Sequence, residues 1–557
     1  MDIKQKIVDC INLKIDGINL KDLIIESVSK DKGDYCLPCF AFAKILKENP
    51  MNVATKISET VNCSTVIKKC EAVAGYVNFF LDKEKLTTEI LENFNILDYK
   101  FNQGENKTVC IDYCSPNLAK YLHIGHLKSL IQGECLARLF EQCGYTVKRL
   151  NFIGDYGTPF GKIIGGMNIF GNMEQVEKCG NDALQDFYVK FNQLEAQDEK
   201  YSQLARDIFK KIEDKDAEVY PVYKKIVEIS LKDAKEKFEL LGVKFDDLRG
   251  EMYYNDFVPN FVKMLKEKNL LAQSEGALIV DLTNYDMPAA IIIKSDGTTL
   301  YMIRDLSASL IRYNDYKFDK MIYLTGVEQI LHFKQWFKIV ELMGLSYANN
   351  LEHIPYGRFS LPDGKISSRR GKQAVLVDLL EYAEKMAKEV VRDRTFTIEK
   401  ADNVAKKVAR SVLNFNVLKV ERIKDCVFDV EKAFLFDGET APYMQYTYTR
   451  LKSILRKYNA VNIKPDYSSI DDNGFELVKL INNFGEAITS SLVKRDPSII
   501  VKRVMDLCKI FNKMYTNCKI LDGNDSSTLA KINLVKALVE ILQLGFKLIC
   551  IDTIEEM

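Results

Sequence analysis

Two histidines stand close together in the stretch SPNLAKYLHIGHLKS, residues 115–129. His123 and His126 are separated by only two residues, one of them Gly125, and apolar residues at helical spacing follow. A helix that begins here directs its free N–H groups and positive end toward both imidazoles. Imidazole N–H groups in such a place can stabilise charge that develops on a phosphoryl group. Two polar residues that merely begin a helix would give the same pattern, so the context decides between these readings.

A second stretch, GKISSRRGK at 364–372, concentrates cations and hydroxyl groups between glycines. Such a composition suits a polyphosphate, although a solvated basic loop has the same composition. Its charged and hydroxyl residues, with one nearby arginine, are Lys365, Ser367, Ser368, Arg369, Arg370, Lys372 and Arg358.

The elements around the histidines predict a nucleotide-binding fold. VCIDYC at 109–114 is typical of a buried strand, the helical pattern after the histidines runs to Gly144, and YTVKRL is typical of another strand. Strand, loop, helix and strand in this order form the first unit of a doubly wound parallel sheet, whose ligands bind beyond the carboxyl ends of the strands. GDYGTPFG at 154–161 follows a strand in the same way, which predicts that it lies near the histidines.

The chain of 557 residues is too long for one ordinary core. We predict a small α+β domain at 1–100 and a Rossmann-like α/β catalytic domain at 101–390 that carries a charge-rich helical insertion at about 170–275. Residues 391–557 have amphipathic helical patterns almost throughout, which predicts an all-α bundle. RFSLPDGKISSRRG, beginning at Arg358, is typical of a hairpin because proline, aspartate and glycine supply its turn.

The composition excludes several classes of protein. The 78 basic residues balance 78 acidic ones, which argues against a protein that binds nucleic acid by charge alone. No apolar run is long enough to span a membrane, and we expect no signal peptide. The 14 cysteines have irregular spacing, which favours reduced thiols in the cytoplasm. The CLPC at 36–39 reads as a loop that enters a helix, because no second pair exists to complete a zinc site, and we predict no protein-bound metal.

The motifs resemble those of a known family. HIGH at 123–126 and KISSR at 365–369 resemble the two signatures of class I aminoacyl-tRNA synthetases. The blocks SPNLAKYLHIGHLKS, GDYGTPFG, SDGTTLYMIRD, GVEQILHF and APYMQYTYTRLKSILRK resemble those of arginyl-tRNA synthetases, in the same order. GYVNFF near the N-terminus and the closing IEEM resemble that family as well, so the similarity covers essentially the whole chain.

This resemblance implies a ligase that forms arginyl-adenylate and pyrophosphate from L-arginine and Mg²⁺-bound ATP, and then transfers arginine to the terminal ribose of tRNA(Arg). It implies catalytic roles for His123, His126, Lys365 and Lys120. The positions that match the family's ATP site are Gly125, His332, Ser367, Ser368 and Arg369. His332 also fits a histidine that simply packs in the core. Ser368 stands where the second signature usually has a lysine, so the cation that holds pyrophosphate is Lys365 or an arginine.

An arginine substrate carries a planar guanidinium, which carboxylates bind in a fork geometry. The resemblance places the pocket acids at Asp112, Glu251 and Asp305. Capping roles for the two aspartates and a surface position for Glu251 are the alternatives. The other positions that match the arginine site are Asn117, His123, Tyr301 and Gln329.

The resemblance also implies contacts with tRNA at the two ends of the chain. In the N-terminal domain they are Tyr76 and Asn78, and in the C-terminal domain they are Tyr443, Gln445 and Tyr446. Aromatic and amide side chains suit single-stranded RNA, which is recognised by stacking and by hydrogen bonds to base edges. Tyrosines at helical spacing also pack in protein cores, so both readings stay open.

Three other functions compete with this interpretation. Small-molecule adenylyltransferases share the HxGH pattern, but they are usually shorter and have no helical C-terminal domain. A synthetase for glutamate or glutamine would need basic pocket residues where this chain has acids. A catalytically inactive RNA-binding paralogue predicts damaged signatures, whereas both histidines and Lys365 are present. The family is usually monomeric, and we expect the same here.

Overall fold

The computed structural model describes residues 2–11, 20–26, 32–63, 66–362, 375–391, 398–460 and 462–556. Within these ranges, the chain forms an α+β part, an α/β part with a parallel sheet and a C-terminal part made of helices. No helix among the described residues is long and apolar enough to cross a membrane.

The N-terminal part contains a four-stranded antiparallel sheet in the order β1-β2-β4-β3. Its strands are β1 (Ile25–Glu26), β2 (Tyr35–Pro38), β3 (Ile67–Val73) and β4 (Tyr76–Leu81). Its helices, together with the one that follows the sheet, are α1 (Ile3–Asp9), α2 (Leu20–Leu23), α3 (Phe40–Leu46), α4 (Pro50–Thr60) and α5 (Lys83–Glu92). Cys36 lies within β2 rather than in a loop, because its strand pairs with both β1 and β4.

The central part is built on a four-stranded parallel sheet in the order β11-β10-β5-β6, which confirms the predicted doubly wound fold. The strand order reverses between β5 and β10, and the carboxyl ends of strands at such a point form a crevice for ligands. The strands of this part are β5 (Thr108–Tyr113), β6 (Thr146–Leu150), β7 (Ala272–Ser274), β8 (Ala277–Val280), β9 (Ala290–Ile293), β10 (Lys320–Gly326), β11 (Leu351–Tyr356) and β12 (Phe359–Ser360). Strands β7 to β9 form a separate antiparallel sheet.

Helices connect these strands, and most of the predicted insertion is helical. The first of them joins β5 to β6, and its apolar side is buried against the sheet. The helices of this part are α6 (Ile124–Gln142), α7 (Thr158–Phe170), α8 (Met173–Cys179), α9 (Asn181–Glu195), α10 (Lys200–Glu213), α11 (Val219–Leu240), α12 (Glu251–Asn255), α13 (Val258–Glu267), α14 (Tyr301–Tyr316) and α15 (Ile330–Leu342).

The predicted hairpin at RFSLPDGKISSRRG is described only at its beginning. Its first arm, β12, pairs in parallel with the short strand β13 (Cys426–Val427), which lies far along the chain. The remainder of the predicted hairpin lies outside the described residues. The pairing ties the segment after the parallel sheet to the beginning of the helical part.

The C-terminal part is helical, as the periodicity predicts. Its helices are α16 (Leu376–Val391), α17 (Ile398–Leu418), α18 (Val430–Ala433), α19 (Ala441–Lys457), α20 (Asp472–Asn482), α21 (Phe484–Lys494), α22 (Ser498–Asn517) and α23 (Asp525–Leu548). Four of these helices, α16, α17, α21 and α23, pack against α6. The thiol of Cys135 on α6 donates a hydrogen bond to the carbonyl of Leu548 at 2.9 Å. The helix that carries both histidines therefore lies between the parallel sheet and the helical bundle.

Candidate active site

A cavity of about 520 Å³ opens at the carboxyl ends of β5 and β10, where the strand order reverses. Ser129 of α6 joins the two strand ends, because its hydroxyl accepts a hydrogen bond from the Cys114 amide at 2.9 Å and donates one to the Leu324 carbonyl at 3.3 Å. The lining residues are Cys114, Ser115, His123, Ile124, Gly125, His126, Ser129, Leu324, Thr325, Gly326, Glu328, Gln329, Tyr356, Gly357, Arg358, Phe359 and Ser360. The cavity therefore lies where the sequence predicts a nucleotide site, and both histidines line it.

Both histidines cap the helix on which they lie. The Nδ1 atom of His123 accepts a hydrogen bond from the Gly125 amide, and the Nδ1 atom of His126 accepts one from the His123 amide, both at 3.1 Å. The imidazole rings are in contact, with centroids 3.8 Å apart and an angle of 33° between their planes. A Cβ atom at Gly125 would lie 2.8 Å from the His123 ring, so this ring position requires glycine.

Burial decides the charge of both rings, and the capping bonds decide which ring nitrogen carries the proton. Burial lowers the pKa of His123, and burial together with the neighbouring ring lowers the pKa of His126 to about 3. Both rings are therefore neutral at pH 7. Because each Nδ1 accepts a hydrogen bond, each proton lies on Nε2. The helix start thus offers two imidazole Nε2–H donors together with its own positive end.

Asp112, at the end of β5, is buried and already paired within the protein. Its Oδ2 accepts a hydrogen bond from Nη1 of Arg312 on α14 at 2.5 Å, and its Oδ1 accepts one from the Ser115 hydroxyl at 3.3 Å. Arg312 is itself buried, and its Nε lies 3.3 Å from the Tyr254 hydroxyl. Burial raises the pKa of Asp112, and Arg312 opposes that shift. Arg312 therefore favours the charged form of a carboxylate that burial alone would neutralise.

Glu251, at the start of α12, has a similar partner. Its Oε2 accepts a hydrogen bond from Nε of Arg304 at 2.8 Å, and both side chains are buried. Burial raises the pKa of Glu251 to about 7, while Arg304 acts in the opposite direction. Asp155, in the GDYG block, accepts a hydrogen bond from the Met252 amide at 2.9 Å and so fixes the start of the same helix.

Asp305 differs from the other two acids, because its partner is a histidine. Its Oδ2 lies 2.6 Å from Nε2 of His332 on α15. The two side chains are 18% and 28% exposed, so this is the least buried of the three pairs. Burial lowers the pKa of His332, but the hydrogen bond and charge of Asp305 outweigh that effect and raise the pKa overall. His332 thus faces Asp305, and it is not among the residues that line the cavity.

The three carboxylates lie close enough to influence one another. The charge of Asp305 adds to burial in raising the pKa of both Asp112 and Glu251. Two permanently charged guanidiniums, those of Arg304 and Arg312, balance two of the three acids. Asp305 has no guanidinium partner among the described residues, and its partner His332 carries a positive charge only when it is protonated.

The other residues predicted for arginine or for catalysis lie around this group at different depths. Tyr301 is 65% exposed at the start of α14, where its ring centre lies 5.5 Å from the guanidinium carbon of Arg304. Asn117 is exposed and pairs through its backbone with Gly154, whereas Gln329 lines the cavity. The predicted catalytic Lys120 is not among the residues that line the cavity. Its Nζ lies 5.1 Å from the ring centre of Tyr188.

Four predicted residues of the basic stretch, Lys365, Ser367, Ser368 and Arg369, lie outside the described residues. Described residues on the near side of that stretch, 356–360, line the cavity. On its far side, Val375 pairs with His123 in an antiparallel bridge, and the Leu376 amide donates a hydrogen bond to the Leu122 carbonyl at 2.7 Å. The described residues on either side of the basic stretch therefore lie beside the histidines.

The residues predicted to contact tRNA near the N-terminus lie side by side on β4. Tyr76 is partly exposed and packs edge to face against Phe40, which is itself 49% exposed. Asn78 is buried on the same strand. Tyr76 is therefore available to a partner, whereas the burial of Asn78 argues against the predicted contact.

The residues predicted to contact tRNA near the C-terminus lie on α19 and separate in the same way. Gln445 is fully buried, and its Nε2 donates hydrogen bonds to the Ser411 hydroxyl and the Asp552 carbonyl, both at 2.9 Å. The expected contact of Gln445 with tRNA is therefore corrected to a structural role. Tyr443 and Tyr446 are partly exposed, and Tyr446 lines a groove of about 690 Å³ together with basic and aromatic side chains.

Sequence reasoning missed the basic partners of the pocket acids. Arg304 directly precedes Asp305 in the block SDGTTLYMIRD, and this position could have indicated a role near the predicted acids. Nothing in the sequence marked Arg312, because its partner Asp112 lies 200 positions earlier. Asp155 stood in the quoted block GDYGTPFG, but its contact with the start of α12 had no local signal.

Three family models match successive parts of the chain. The model of the arginyl-tRNA synthetase N-terminal domain matches residues 1–81. The catalytic domain of class I tRNA synthetases (R) matches residues 87–430, and the DALR anticodon-binding domain matches residues 444–557. The catalytic match includes the cavity, both histidines and all three acids.

Relatives and solved structures agree with these models. An arginine–tRNA ligase of Halothermothrix orenii is 38% identical over 566 residues, with 100% of both chains covered. One from Clostridioides difficile is also 38% identical over 566 residues, again with 100% of both chains covered. The fold matches that of Thermus thermophilus arginyl-tRNA synthetase with a TM-score of 0.81, at 22% identity over 96% of each chain. The Plasmodium falciparum arginyl-tRNA synthetase matches with a TM-score of 0.79, at 22% identity over 100% of this chain and 98% of that one. The chain belongs to the arginyl-tRNA synthetase family of class I aminoacyl-tRNA synthetases.

Proposed function

We propose that this chain joins L-arginine to tRNA(Arg) at the site described above. Arginine and Mg²⁺-bound ATP first give arginyl-adenylate and pyrophosphate, and the terminal ribose of tRNA then accepts the arginyl group. The observation that carries the proposal is a cavity with two neutral imidazole donors beside three carboxylates of which only two have guanidinium partners. Gln329 links the two sides, because it lines the cavity and directly precedes the helix that carries His332.

In the first step, the arginine carboxylate attacks the α-phosphorus of ATP, so negative charge grows on the α-phosphate oxygens. The Nε2–H groups of His123 and His126 donate to those oxygens, and the positive end of α6 points the same way. Because both rings are neutral, neither needs to lose or gain a proton during the step. The histidines position and stabilise the phosphate, and no side chain becomes covalently modified.

Arginine recognition rests on the three carboxylates. Asp305 is the direct partner of the substrate guanidinium, because its protein partner is not a permanent cation. Glu251 uses Oε2 for Arg304, and Asp112 uses both oxygens for Arg312 and Ser115. We therefore assign Asp112 and Glu251 mainly to the negative potential and shape of the pocket. Asn117, His123, Tyr301 and Gln329 keep their proposed contacts with the rest of the amino acid.

Residues of the basic stretch complete the proposed site. Lys365, Ser367, Ser368 and Arg369 hold the departing pyrophosphate, as the similarity to the second signature implies, and Lys120 adds positive charge at the entrance. Tyr76, Tyr443 and Tyr446 contact tRNA. We also propose the domain division 1–100, 101–390 and 391–557, a monomeric state and a cytoplasmic location.

Charging of tRNA with labelled amino acids tests the proposal. The protein, ATP, Mg²⁺ and a total tRNA preparation should incorporate arginine, but neither lysine nor citrulline into acid-precipitable tRNA. Citrulline has nearly the shape of arginine without its charge, so it isolates the contribution of the carboxylates. Charging with citrulline as fast as with arginine would contradict the pocket, and no charging with arginine would favour the inactive RNA-binding alternative.

Changing Gly125 to alanine should lower kcat by about 10- to 100-fold, because a Cβ atom 2.8 Å from the His123 ring forces the imidazole out of position. Alanine is the better helix former, which offsets the loss of the His123 capping bond, so the midpoint of thermal unfolding should change little. ATP–pyrophosphate exchange and thermal denaturation measure the two effects. Unchanged kcat in the G125A protein would show that the ring position does not matter for the reaction.

Two neighbouring changes on α19 should have opposite effects. Tyr446→Ala should raise KM for tRNA with little effect on stability, because a partly exposed ring that stacks on a base is worth about 1–3 kcal/mol. Gln445→Ala should instead destabilise the protein by about 1–3 kcal/mol, because it leaves the buried partners of the amide unsatisfied. Charging kinetics and urea unfolding separate the two outcomes. If Q445A raised KM for tRNA and Y446A did not, our assignment would be reversed.

A further inference from the structure

The contact between Asp305 and His332 distinguishes this pair from the other acid–base pairs of the pocket. Arg304 and Arg312 cannot lose their charge under ordinary conditions, so their pairs with Glu251 and Asp112 persist whether or not a ligand is present. An imidazolium can lose its proton, and His332 is the partner of the acid that we assign to the substrate guanidinium. The pair is also the most exposed of the three, so solvent can receive a proton.

We propose that protonated His332 is a built-in counterion for Asp305 and that the guanidinium of arginine displaces it, so that arginine binding releases one proton. This inference rests on the proposed function and names a further residue that controls its substrate affinity. The balance is simple: one guanidinium with charge +1 enters and pairs with the Asp305 carboxylate. The imidazolium of His332 gives its Nε2 proton to water, and the neutral ring stays.

The charged and titratable groups around His332 come from several elements. Asp305 faces it from α14, and His353 faces it from β11. His353 stacks on the Phe333 ring with centroids 4.2 Å apart, and its Nε2 lies 2.9 Å from the Thr325 hydroxyl. Burial, helped by the positive charges of Arg422 and His332, lowers the pKa of His353 to about 4. His353 is therefore neutral at pH 7 and does not supply the released proton.

The acids around Asp305 are the other groups to consider. Asp112 on β5 and Glu251 on α12 both interact with its charge, as does the buried phenol of Tyr323 on β10. Glu328 lies in the turn before α15 and lines the nucleotide cavity. Among the described residues, Glu251, with a pKa raised to about 7, and Asp155, with a pKa raised to about 6, are the other candidate sources of a proton near neutral pH. The test must therefore separate His332 from these two acids.

The sign of the pH dependence follows from the exchange. Asp305 raises the pKa of His332 in the free protein, so the imidazolium is present below that pKa and arginine must expel its proton. The dissociation constant for arginine should therefore rise as the pH falls, by up to about tenfold for each pH unit. Above that pKa, His332 is neutral in both states, and the dissociation constant should become independent of pH.

Isothermal titration calorimetry of the full chain with L-arginine tests the proposal directly. Titrations at one pH in two buffers with different ionisation enthalpies give the number of protons released per arginine bound. The wild-type protein should release close to one proton below the pKa of His332 and none well above it. His332→Gln should still bind arginine, because glutamine places a neutral donor near the position of Nε2, but without proton release and without the pH dependence.

His353→Gln is the matched control, because it removes a neutral histidine from the same region and should leave the proton release unchanged. If H332Q releases as many protons as the wild type, the source is an acid such as Glu251 or Asp155 and the proposal is overturned. It is equally overturned if the wild type binds arginine without releasing a proton. A wild type that charges tRNA with arginine but releases no proton would contradict this inference alone, whereas a wild type that binds no arginine would contradict the proposed function.

A second measurement does not depend on the stability of the variant. The chain has four histidines, so their ring protons can be followed separately by NMR. One ring should titrate with a raised pKa in the free protein, and saturating arginine should lower that pKa. A raised pKa that arginine leaves unchanged would overturn the displacement mechanism.

Discussion

Asp305→Asn should bind arginine far more weakly than the wild type, with a loss of about 2–5 kcal/mol, or roughly 30- to 4,000-fold in KM for arginine. The change keeps the size of the side chain but removes the one carboxylate that no guanidinium of the protein balances. The KM for ATP should change little, because Asp305 does not line the nucleotide cavity. Steady-state ATP–pyrophosphate exchange at varied arginine and varied ATP measures both constants.

The matched control for this change lies on the same helix. Asp315 of α14 is 40% exposed in its side chain and pairs with Nη1 of Arg249 at 2.7 Å. An exposed ion pair of this kind contributes only about 0–1 kcal/mol, so Asp315→Asn should leave KM for arginine unchanged. If D305N and D315N had the same KM for arginine, Asp305 would not be the partner of the substrate.

His123→Asn should lower kcat by about 100- to 1,000-fold, which is the usual effect of removing one well-placed donor to a charged transition state. Asparagine is a favourable N-cap residue, so its side-chain oxygen can replace Nδ1 as the acceptor for the Gly125 amide. The change therefore removes the Nε2–H donor and keeps the helix start. Exchange kinetics should show the loss in kcat, and KM for arginine should rise by a much smaller factor, because H123N retains the proposed contact between the guanidinium and Asp305.

His123→Ala separates the two roles of this side chain. Alanine removes both the donor and the cap, so H123A should lose about as much kcat as H123N and, in addition, about 1 kcal/mol of stability. Urea unfolding of both variants measures the difference. A kcat for H123N within threefold of the wild-type value would show that the His123 imidazole does not take part in the reaction.

Local patterns were enough to predict the fold and the position of the cavity that we propose for ATP. A buried apolar strand, a loop with Gly125 and a helix with apolar residues at regular spacing form a unit that folds in one way. The parallel sheet confirms that prediction, and both histidines lie where the first strand ends. These features depend on short-range sequence, which is why they could be predicted without a structure.

The partners of the pocket acids could not be predicted, because each pair joins distant parts of the chain. Asp112 and Arg312 are 200 positions apart, and Glu251 and Arg304 are 53 positions apart. Each pair forms only when α14 packs beside the strand end or against α12. The contact of His332 with Asp305 could not be predicted for the same reason, since the sequence does not show that α15 turns this ring toward Asp305.

Helical periodicity could not show which of the residues predicted to contact tRNA are exposed. The pattern in YMQYTYTR predicts a helix correctly but does not show which of its sides is buried. Gln445 is buried because Ser411 and the chain near Asp552 pack against its side of α19, and both lie outside the motif. Tyr446, the next residue, lies about 100° further around the helix, where it lines the groove and stays accessible to a partner.

ATP–pyrophosphate exchange with each of the twenty amino acids, with and without tRNA, tests the central claim most directly. Exchange should require arginine and should rise strongly when tRNA is added, because the family generally needs tRNA for the activation step. Asp305 is the one carboxylate of the three that has no guanidinium partner among the described residues. We therefore expect no comparable exchange with lysine or with any neutral amino acid. No exchange with arginine in the presence of tRNA(Arg), or equal exchange with another amino acid, would contradict the assignment.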